Sequence, residues 1–314
     1  MSDSTGFDAP LLDDDLPPGH RAGFVAVIGK PNVGKSTLMN VFLGEKLAIV
    51  SPKPQTTRQR QLGILTLPEA QIIFVDTPGI HRARNKLGEY MVEVATGAIP
   101  DADLVLFMVD VSEMPNRADE VIAEAVRESG VPALLALNKC DLLGQDQARV
   151  HAAAYHALVP AAEPLLVSAT DGTNRDELFQ LIVDSLPPGP RYYPPDQLTD
   201  TRLRDSAADI IREKALRLFE QEIPHSLAVQ VDQFKERDED MTYIAATIYV
   251  ERDSQKGIVI GRGGQMLKKL GQMARPELEE VLGTRVYLEL WVKVLKNWRK
   301  DERALRRLGY HRKR

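Results

Sequence analysis

Short apolar runs punctuate the first half of the chain: Phe24 to Ile28, Ile72 to Val75, Leu104 to Val109, Ala133 to Leu137 and Pro164 to Val167. Longer polar stretches with apolar residues at helical spacing lie between them. Runs this short and this apolar read as strands buried on both faces. Strands alternating with helices predict an α/β fold, a mainly parallel sheet with helices on both faces. Leu62 to Leu67 and Gln71 to Val75 break the alternation, because only Pro68-Glu69-Ala70 separates them. That connection is too short for a helical crossover, so the pair is predicted as an antiparallel hairpin at the sheet edge.

After a helix near Asn174 to Ser185 the pattern is interrupted by Pro187-Pro188-Gly189-Pro190 and then Pro194-Pro195. Proline at this density makes a stiff, extended linker, so a first domain over residues 21–186 is predicted to end before a linker over 187–200. The pattern then changes to a helix (Thr201 to Gln221), two strands (Leu227 to Glu236, Met241 to Glu251), a helical turn, a glycine-rich loop, a helix (Gln265 to Leu282) and a strand (Val286 to Leu295). This α+β order predicts a second domain over 201–296, followed by a basic tail over 297–314. Residues 1–20 mix Asp, Pro, Gly and Ser with few large apolar side chains and read as a disordered acidic lead-in.

A chain of 314 residues with 43% hydrophobic content holds enough apolar surface for two cores. The net charge of −5 hides an asymmetry: Lys293 to Arg314 contains ten Lys/Arg against Asp301 and Glu302, a local +8 that leaves −13 elsewhere. The tail is therefore a candidate anion-binding surface. Cys140 is the only cysteine, which excludes an intrachain disulfide and a cysteine metal cluster and fits a reducing cytosol. No N-terminal segment has the apolar core of a signal peptide, and nowhere do about 18 apolar residues run without charge, so a soluble protein is predicted.

Three strings at strand ends carry candidate chemistry. Gly29-Lys30-Pro31-Asn32-Val33-Gly34-Lys35-Ser36 follows the first strand and precedes the helical run Thr37 to Leu43, the context of a phosphate loop (P-loop). Its amides and the helix N-terminus would face phosphates, Lys35 would bring a cation to the β and γ groups, and Ser36 a hydroxyl to Mg2+. Read alone, the string could arise by chance, as a glycine turn capped by Ser36; the strand and helix around it argue against that reading. Asp76-Thr77-Pro78-Gly79 ends the strand Ile72 to Val75, which puts a carboxylate in reach of Mg2+ through a water and the Gly79 amide in reach of a γ-phosphate. A plain turn is the competing reading. Asn138-Lys139-Cys140-Asp141 lies at the carboxyl end of another parallel strand, where such sheets bind ligands. Asp141 would accept from guanine N1–H and the 2-amino group together, donors that adenine lacks, while Lys139 covers the base and Asn138 ties the base loop to the phosphate loop. In this combination the strings point to GTP and GDP, with Mg2+.

Ser168-Ala169-Thr170, after the last strand, either presents a backbone N–H to the guanine carbonyl or serves only as a cap. Gln55-Thr56-Thr57-Arg58 lies in the polar stretch Ser51 to Gln61, predicted to be mobile without ligand. One threonine there, Thr57 in preference to Thr56, would complete the magnesium shell, against the reading of a merely solvated loop. Lys35, Thr57, Asp76 and Gly79 are thus the candidate catalytic residues. Ile80 comes next, and an isoleucine cannot orient an attacking water, so slow intrinsic hydrolysis is predicted. Asn32 is a candidate ligand for K+ beside the phosphates, or an amide that only braces the loop.

In the second half, Gly261-Arg262-Gly263-Gly264 is a Gly-x-x-Gly loop between two helices, after paired strands and before a third. That order is the type II KH arrangement, in which glycines let an RNA backbone approach and the next helix N-terminus receives phosphate. Arg262, Lys268 and Lys269 add charge there; a tight helix–helix turn is the competing reading. Trp291, Trp298, Arg299, Lys300, Arg306 and Arg307 suit a phosphate backbone, with a solvated basic helix or attraction to anionic lipid as alternatives.

Over residues 24–295 the chain resembles the Era family of bacterial GTPases, through Gly29 to Ser36, Gln55 to Arg58, Asp76 to Ile80, Asn138 to Asp141, Gly261 to Gly264, Leu288 to Lys293 and Asn297 to Arg299. The resemblance implies a P-loop GTPase domain followed by a type II KH domain, with a hydrophobic residue in place of the catalytic glutamine. It also implies binding near the 3′ end of small-subunit ribosomal RNA during assembly of the small ribosomal subunit, not DNA, and a cytoplasmic location with some peripheral attachment to the cell membrane. Two roles then compete: a hydrolytic switch that moves residues 51–61 and 80–90, and a constitutive RNA-binding protein with GTP as a structural ligand. Ser36, Thr57 and Asp76 favour the switch, because a structural nucleotide would not require a full set of magnesium and γ-phosphate sensors.

Overall fold

The computed structural model describes residues 16–51, 53, 56–238 and 240–311. Apolar runs and helical stretches alternate as β1 (Arg21–Ile28), α1 (Lys35–Leu43), β2 (Gln61–Thr66), β3 (Ala70–Asp76), α2 (Lys86–Gly97), β4 (Leu104–Asp110), α3 (Arg117–Ser129), β5 (Ala133–Asn138), α4 (Gln145–His156), β6 (Glu163–Leu166) and α5 (Arg175–Ser185). The strands form one sheet in the order β2-β3-β1-β4-β5-β6. All neighbours are parallel except β2 and β3, the edge hairpin.

Alternate residues of the central strands feed two cores, as the pleat requires. Ala26 and Ile28 pack with Ala95, Ile122 and Tyr155 on one face, while Val25 and Val27 pack with Leu38, Met39, Leu178 and Ile182 on the other. The β1–β3 register pairs Val27 with Asp76, so the first two motifs emerge side by side at the carboxyl edge of the sheet.

The second half contains α6 (Leu203–Leu218), α7 (Ile223–Ser226), β7 (Ala228–Asp238), β8 (Met241–Val250), α8 (Asp253–Ile260), α9 (Gln265–Leu282), β9 (Arg285–Val294) and α10 (Glu302–Arg307). β7 and β8 are antiparallel, whereas β8 and β9 are parallel and joined by the α8–α9 crossover. Ile210, Ile211 and Ala215 of α6 and Leu270, Ala274 and Leu278 of α9 cover one face of this sheet.

The structure adds contacts to three of these expectations. The 187–200 segment packs on the first domain: Pro188 bridges Arg21, the Tyr192 and Tyr193 amides donate to Gln71 Oε1 at 2.7 and 2.9 Å, and Ile64 N donates to Leu198 O at 2.8 Å. Its prolines have no N–H, so the bonds are shared: Tyr192 and Tyr193 donate from the segment, and Ala22 and Ile64 donate to its carbonyls. The acidic lead-in lies outside the described residues up to position 15, but His20 is buried, with Nδ1 at 2.8 Å from Gly189 O. Trp298 is not a phosphate-facing residue: it is 0% exposed, its indole N–H donates to Ser226 O at 2.8 Å, and it packs with Tyr249, Leu305, Leu308 and Tyr310. Deleting a buried side chain of this size costs about 3–5 kcal/mol. The start of the basic tail, up to Tyr310, is therefore part of the fold.

The two halves meet across an ionic cluster. Lys46 Nζ lies 2.8 Å from Glu213 and 2.7 Å from Glu277, and Lys214 and Arg217 complete the network on those carboxylates.

Candidate functional site

The loop Gly29 to Gly34 leads directly into α1, at an open cleft lined by Pro31, Asn32, Gly34 to Thr37, Thr56, Thr57, Thr77 and Gly79 among others. Lys35 Nζ is buried against the loop's own carbonyls, 3.2 Å from Gly29 O and 2.9 Å from Lys30 O. Burial pulls its ammonium down to about 8, against the attraction of Asp76. A lysine held this way gains most when phosphate oxygens replace the carbonyls.

Ser36, Thr57 and Asp76 converge. Ser36 Oγ donates to Asp76 Oδ2 at 2.7 Å, Thr57 Oγ1 donates to the same oxygen at 3.0 Å, and the two hydroxyls lie 3.1 Å apart. Thr56 turns away and donates to Lys53 O at 2.8 Å, so of the two threonines it is Thr57 that meets Ser36 and Asp76; Gln55 lies outside the described residues. Asp76 is 0% exposed and its Oδ1 has no hydrogen-bond partner among the described residues. Burial pushes its carboxyl up, countered by Lys35 and the two hydroxyls. A buried carboxylate with an idle oxygen beside two hydroxyls is a donor set of the kind a hard divalent cation takes, so these residues fit Mg2+.

Gly79 lies against the phosphate loop so closely that a Cβ there would meet Pro31 N at 2.4 Å, which is why no larger residue can occupy the position. Thr77 contributes structure, its hydroxyl donating to Val27 O at 2.7 Å, and Pro78 is buried beside it. Ile80 is 5% exposed and packs in the core with Ile28, Val75 and Val109, while its amide donates to Gly29 O at 3.1 Å. Its side chain therefore faces away from the phosphates altogether.

At the base end, Asn138 is a junction. Its Nδ2 donates to Val33 O at 2.7 Å and its Oδ1 accepts from the Ala169 amide at 2.9 Å, which joins the base loop, the phosphate loop and the 168–170 loop. In the 168–170 loop the Ala169 amide bonds Asn138 Oδ1 and the Ser168 amide bonds Thr173 O at 3.0 Å, so the buried Asn138 oxygen has its donor. Lys139 adopts φ 65° and pairs with Asp110. Asp141 is exposed at the mouth of the base site.

Sequence reasoning missed the groups that brace this site. Lys30 Nζ pairs at 2.8 Å with Asp119, which also caps α3 through the Asn116 amide at 2.9 Å. The helix-start spacing Asn116-x-x-Asp119 was the available signal.

Gly261 to Gly264 links α8 to α9 with positive φ at Gly261, Gly263 and Gly264, a backbone that side chains with a Cβ rarely adopt. Arg262, Gly263, Lys268 and Lys269 are exposed around it.

Comparisons with known proteins agree with this geometry. Residues 24–139 match the family described as 50S ribosome-binding GTPase, and residues 222–299 match the KH domain. GTPase Era of Geotalea daltonii is 50% identical over 290 residues, covering 92% of this chain and 98% of that protein. GTPase Era of Geobacter metallireducens is 51% identical over 291 residues with the same coverage, 92% and 98%. The crystal structure of Era in complex with MgGDPNP and nucleotides 1506–1542 of 16S ribosomal RNA has a TM-score of 0.90 at 43% identity, covering 93% of this chain and 100% of that one. A point variant of Aquifex aeolicus Era bound to GDP.AlF4- has a TM-score of 0.89 at 42% identity, with 93% and 100% coverage. With a P-loop GTPase domain, a KH domain and half of its residues shared along nearly the whole length of these relatives, the chain belongs to the Era family of GTPases.

Proposed function

We propose that the protein is a GTP-hydrolysing switch that binds small-subunit ribosomal RNA near its 3′ end and acts in assembly of the small ribosomal subunit. One observation carries this reading: a chain whose nucleotide cleft and Gly261 to Gly264 loop lie in one fold superposes over 93% of its length on an Era bound to both MgGDPNP and 16S ribosomal RNA.

Lys35 binds the β- and γ-phosphates, and Ser36 and Thr57 offer their hydroxyls to Mg2+, with Asp76 behind them. When bound there, Mg2+ would supply positive charge to the phosphate oxygens. The Gly79 amide senses the γ-phosphate, and loss of that phosphate releases both Gly79 and Thr57 from their shared anchor. Because Ile80 is buried, the chain has no side chain at that position to hold the attacking water. Asn32, which lines the same cleft, would be the residue to hold a K+ ion, and that ion would supply positive charge beside the phosphates. Asp141 reads guanine. The KH loop takes the RNA backbone on the α9 N-terminus, with Arg262, Lys268 and Lys269 as its cations. The setting is the cytoplasm, with peripheral contact to the membrane as a secondary association.

Crosslinking and sequencing of bound RNA, in parallel with a non-hydrolysable GTP analogue and with GDP, tests the whole reading. Reads should gather at the 3′ end of the small-subunit RNA and fall with GDP. Equal recovery in both states would replace the switch with a constitutive RNA binder, and reads elsewhere would remove the partner.

A further inference from the structure

The segment that carries Thr57 is strapped to the second half of the molecule at Val50, Lys53, Arg58, Gln59 and Gln61. Arg217 donates to Val50 O at 3.2 Å, Lys53 to Phe219 O, Gln59 to Gly309 O at 3.4 Å, and Gln61 to Asp209 at 2.6 Å. At the centre of this strap is Arg58, which is 2% exposed. It has no carboxylate partner among the described residues. Its Nη1 donates to Leu227 O at 2.9 Å and Tyr310 Oη at 3.3 Å, and its guanidinium lies 5.7 Å from the centre of the Trp298 ring. Trp298 in turn stacks on Tyr310 with centroids 6.0 Å apart.

A buried cation surrounded only by neutral acceptors and aromatic faces is tolerated when every wall of the socket is in place, and is expelled when one is lost. Burial and the nearby Arg212 and Arg299 work against the charge, with Tyr310 in its favour. Arg58 follows Thr57 directly, and consecutive Cα atoms are about 3.8 Å apart. Thr57 Oγ1 sits 3.0 Å from Asp76. A shift of the main chain at either residue is therefore felt at the other.

We propose that Arg58 is the positioning residue for Thr57: the socket of Leu227, Trp298 and Tyr310 seats the guanidinium and thereby sets how often Thr57 stands at the metal-binding cluster. The inference rests on the reading of Thr57 as a magnesium ligand. It makes residues 298–310 an internal ligand of the nucleotide switch rather than a tail, and by linkage Mg2+ with GTP must tighten the socket in return.

The test uses the full chain and equilibrium binding of a fluorescent, non-hydrolysable GTP analogue with and without Mg2+. Arg58→Ala should reduce the tightening conferred by Mg2+ by about tenfold, close to the loss in Thr57→Ala. GDP affinity in EDTA reports the intact fold and should not change. Arg58→Lys should restore part of the effect, and Tyr310→Phe should lose about threefold. A second readout follows Trp298 fluorescence in a Trp291→Phe background, where Mg2+ with the analogue should reduce quenching by acrylamide, but not in Thr57→Ala. Wild-type tightening in Arg58→Ala together with an unresponsive Trp298 overturns the proposal. Wild-type tightening in Thr57→Ala overturns the magnesium reading beneath it instead.

Discussion

The chain has two glycine loops that each open onto a helix N-terminus, and they are built to opposite specifications. In the phosphate loop, Lys35 is 6% exposed, Gly79 presses on Pro31, and Asn138 and Asp119 hold the loop from outside. In the KH loop, an added Cβ at Gly263 or Gly264 would meet nothing within 4 Å, and Arg262, Lys268 and Lys269 stand in solvent. The first is a closed mould for a ligand of fixed shape. The second is an open rail on which a polymer backbone can lie. Selectivity is expected from rigidity and burial at one, and from charge and accessibility at the other.

The largest break between the two loops should come from Asp141→Asn. Losing the carboxylate that pairs with both guanine donors should lower the preference for GTP over xanthosine triphosphate on the order of 1000-fold in a competition titration, with RNA affinity unchanged. Unaltered guanine selectivity would remove Asp141 from the base site. The reciprocal change, Gly263→Asp with Gly264→Asp, places two anions on the open rail, where an added Cβ meets no neighbour although the positive φ is strained for it. RNA affinity in a filter-binding titration should fall about 100-fold while GDP affinity holds.

A smaller effect is a pH dependence confined to the buried loop. Lys35 titrates near 8 in the free protein, and phosphate oxygens raise it in the complex, so binding takes up a proton. Nucleotide affinity is fully present below that pH and is lost above it, by roughly tenfold between pH 7 and pH 9. Lys35→Arg, which keeps its charge across this range, should flatten the profile measured by isothermal titration. A profile as steep in the variant as in the wild type would assign the proton to another group.

The nucleotide motifs were legible because each is a contiguous string at the end of a recognisable strand, where chain order and spatial order coincide. Choosing Thr57 over Thr56 in the fold required a contact with Asp76, which comes from another strand. The Trp298 region was misread for the same reason on a longer scale. Its composition is that of an RNA-binding tail, but the Ser226 carbonyl and the Arg58 guanidinium that bury it lie far away in sequence. Local composition reports what a segment could touch, and only tertiary structure says what already touches it.

The bond between Arg58 and Tyr310 spans 252 residues, nearly the length of the chain. During synthesis at roughly 5–20 residues per second, those 252 residues take about 10 to 50 s to appear. The nucleotide domain is complete well before Tyr310 exists, so a nascent chain passes through a stage in which it holds the phosphate loop without the residue that seats its switch. Any response to GTP that depends on a seated Arg58 therefore waits until Tyr310 has emerged.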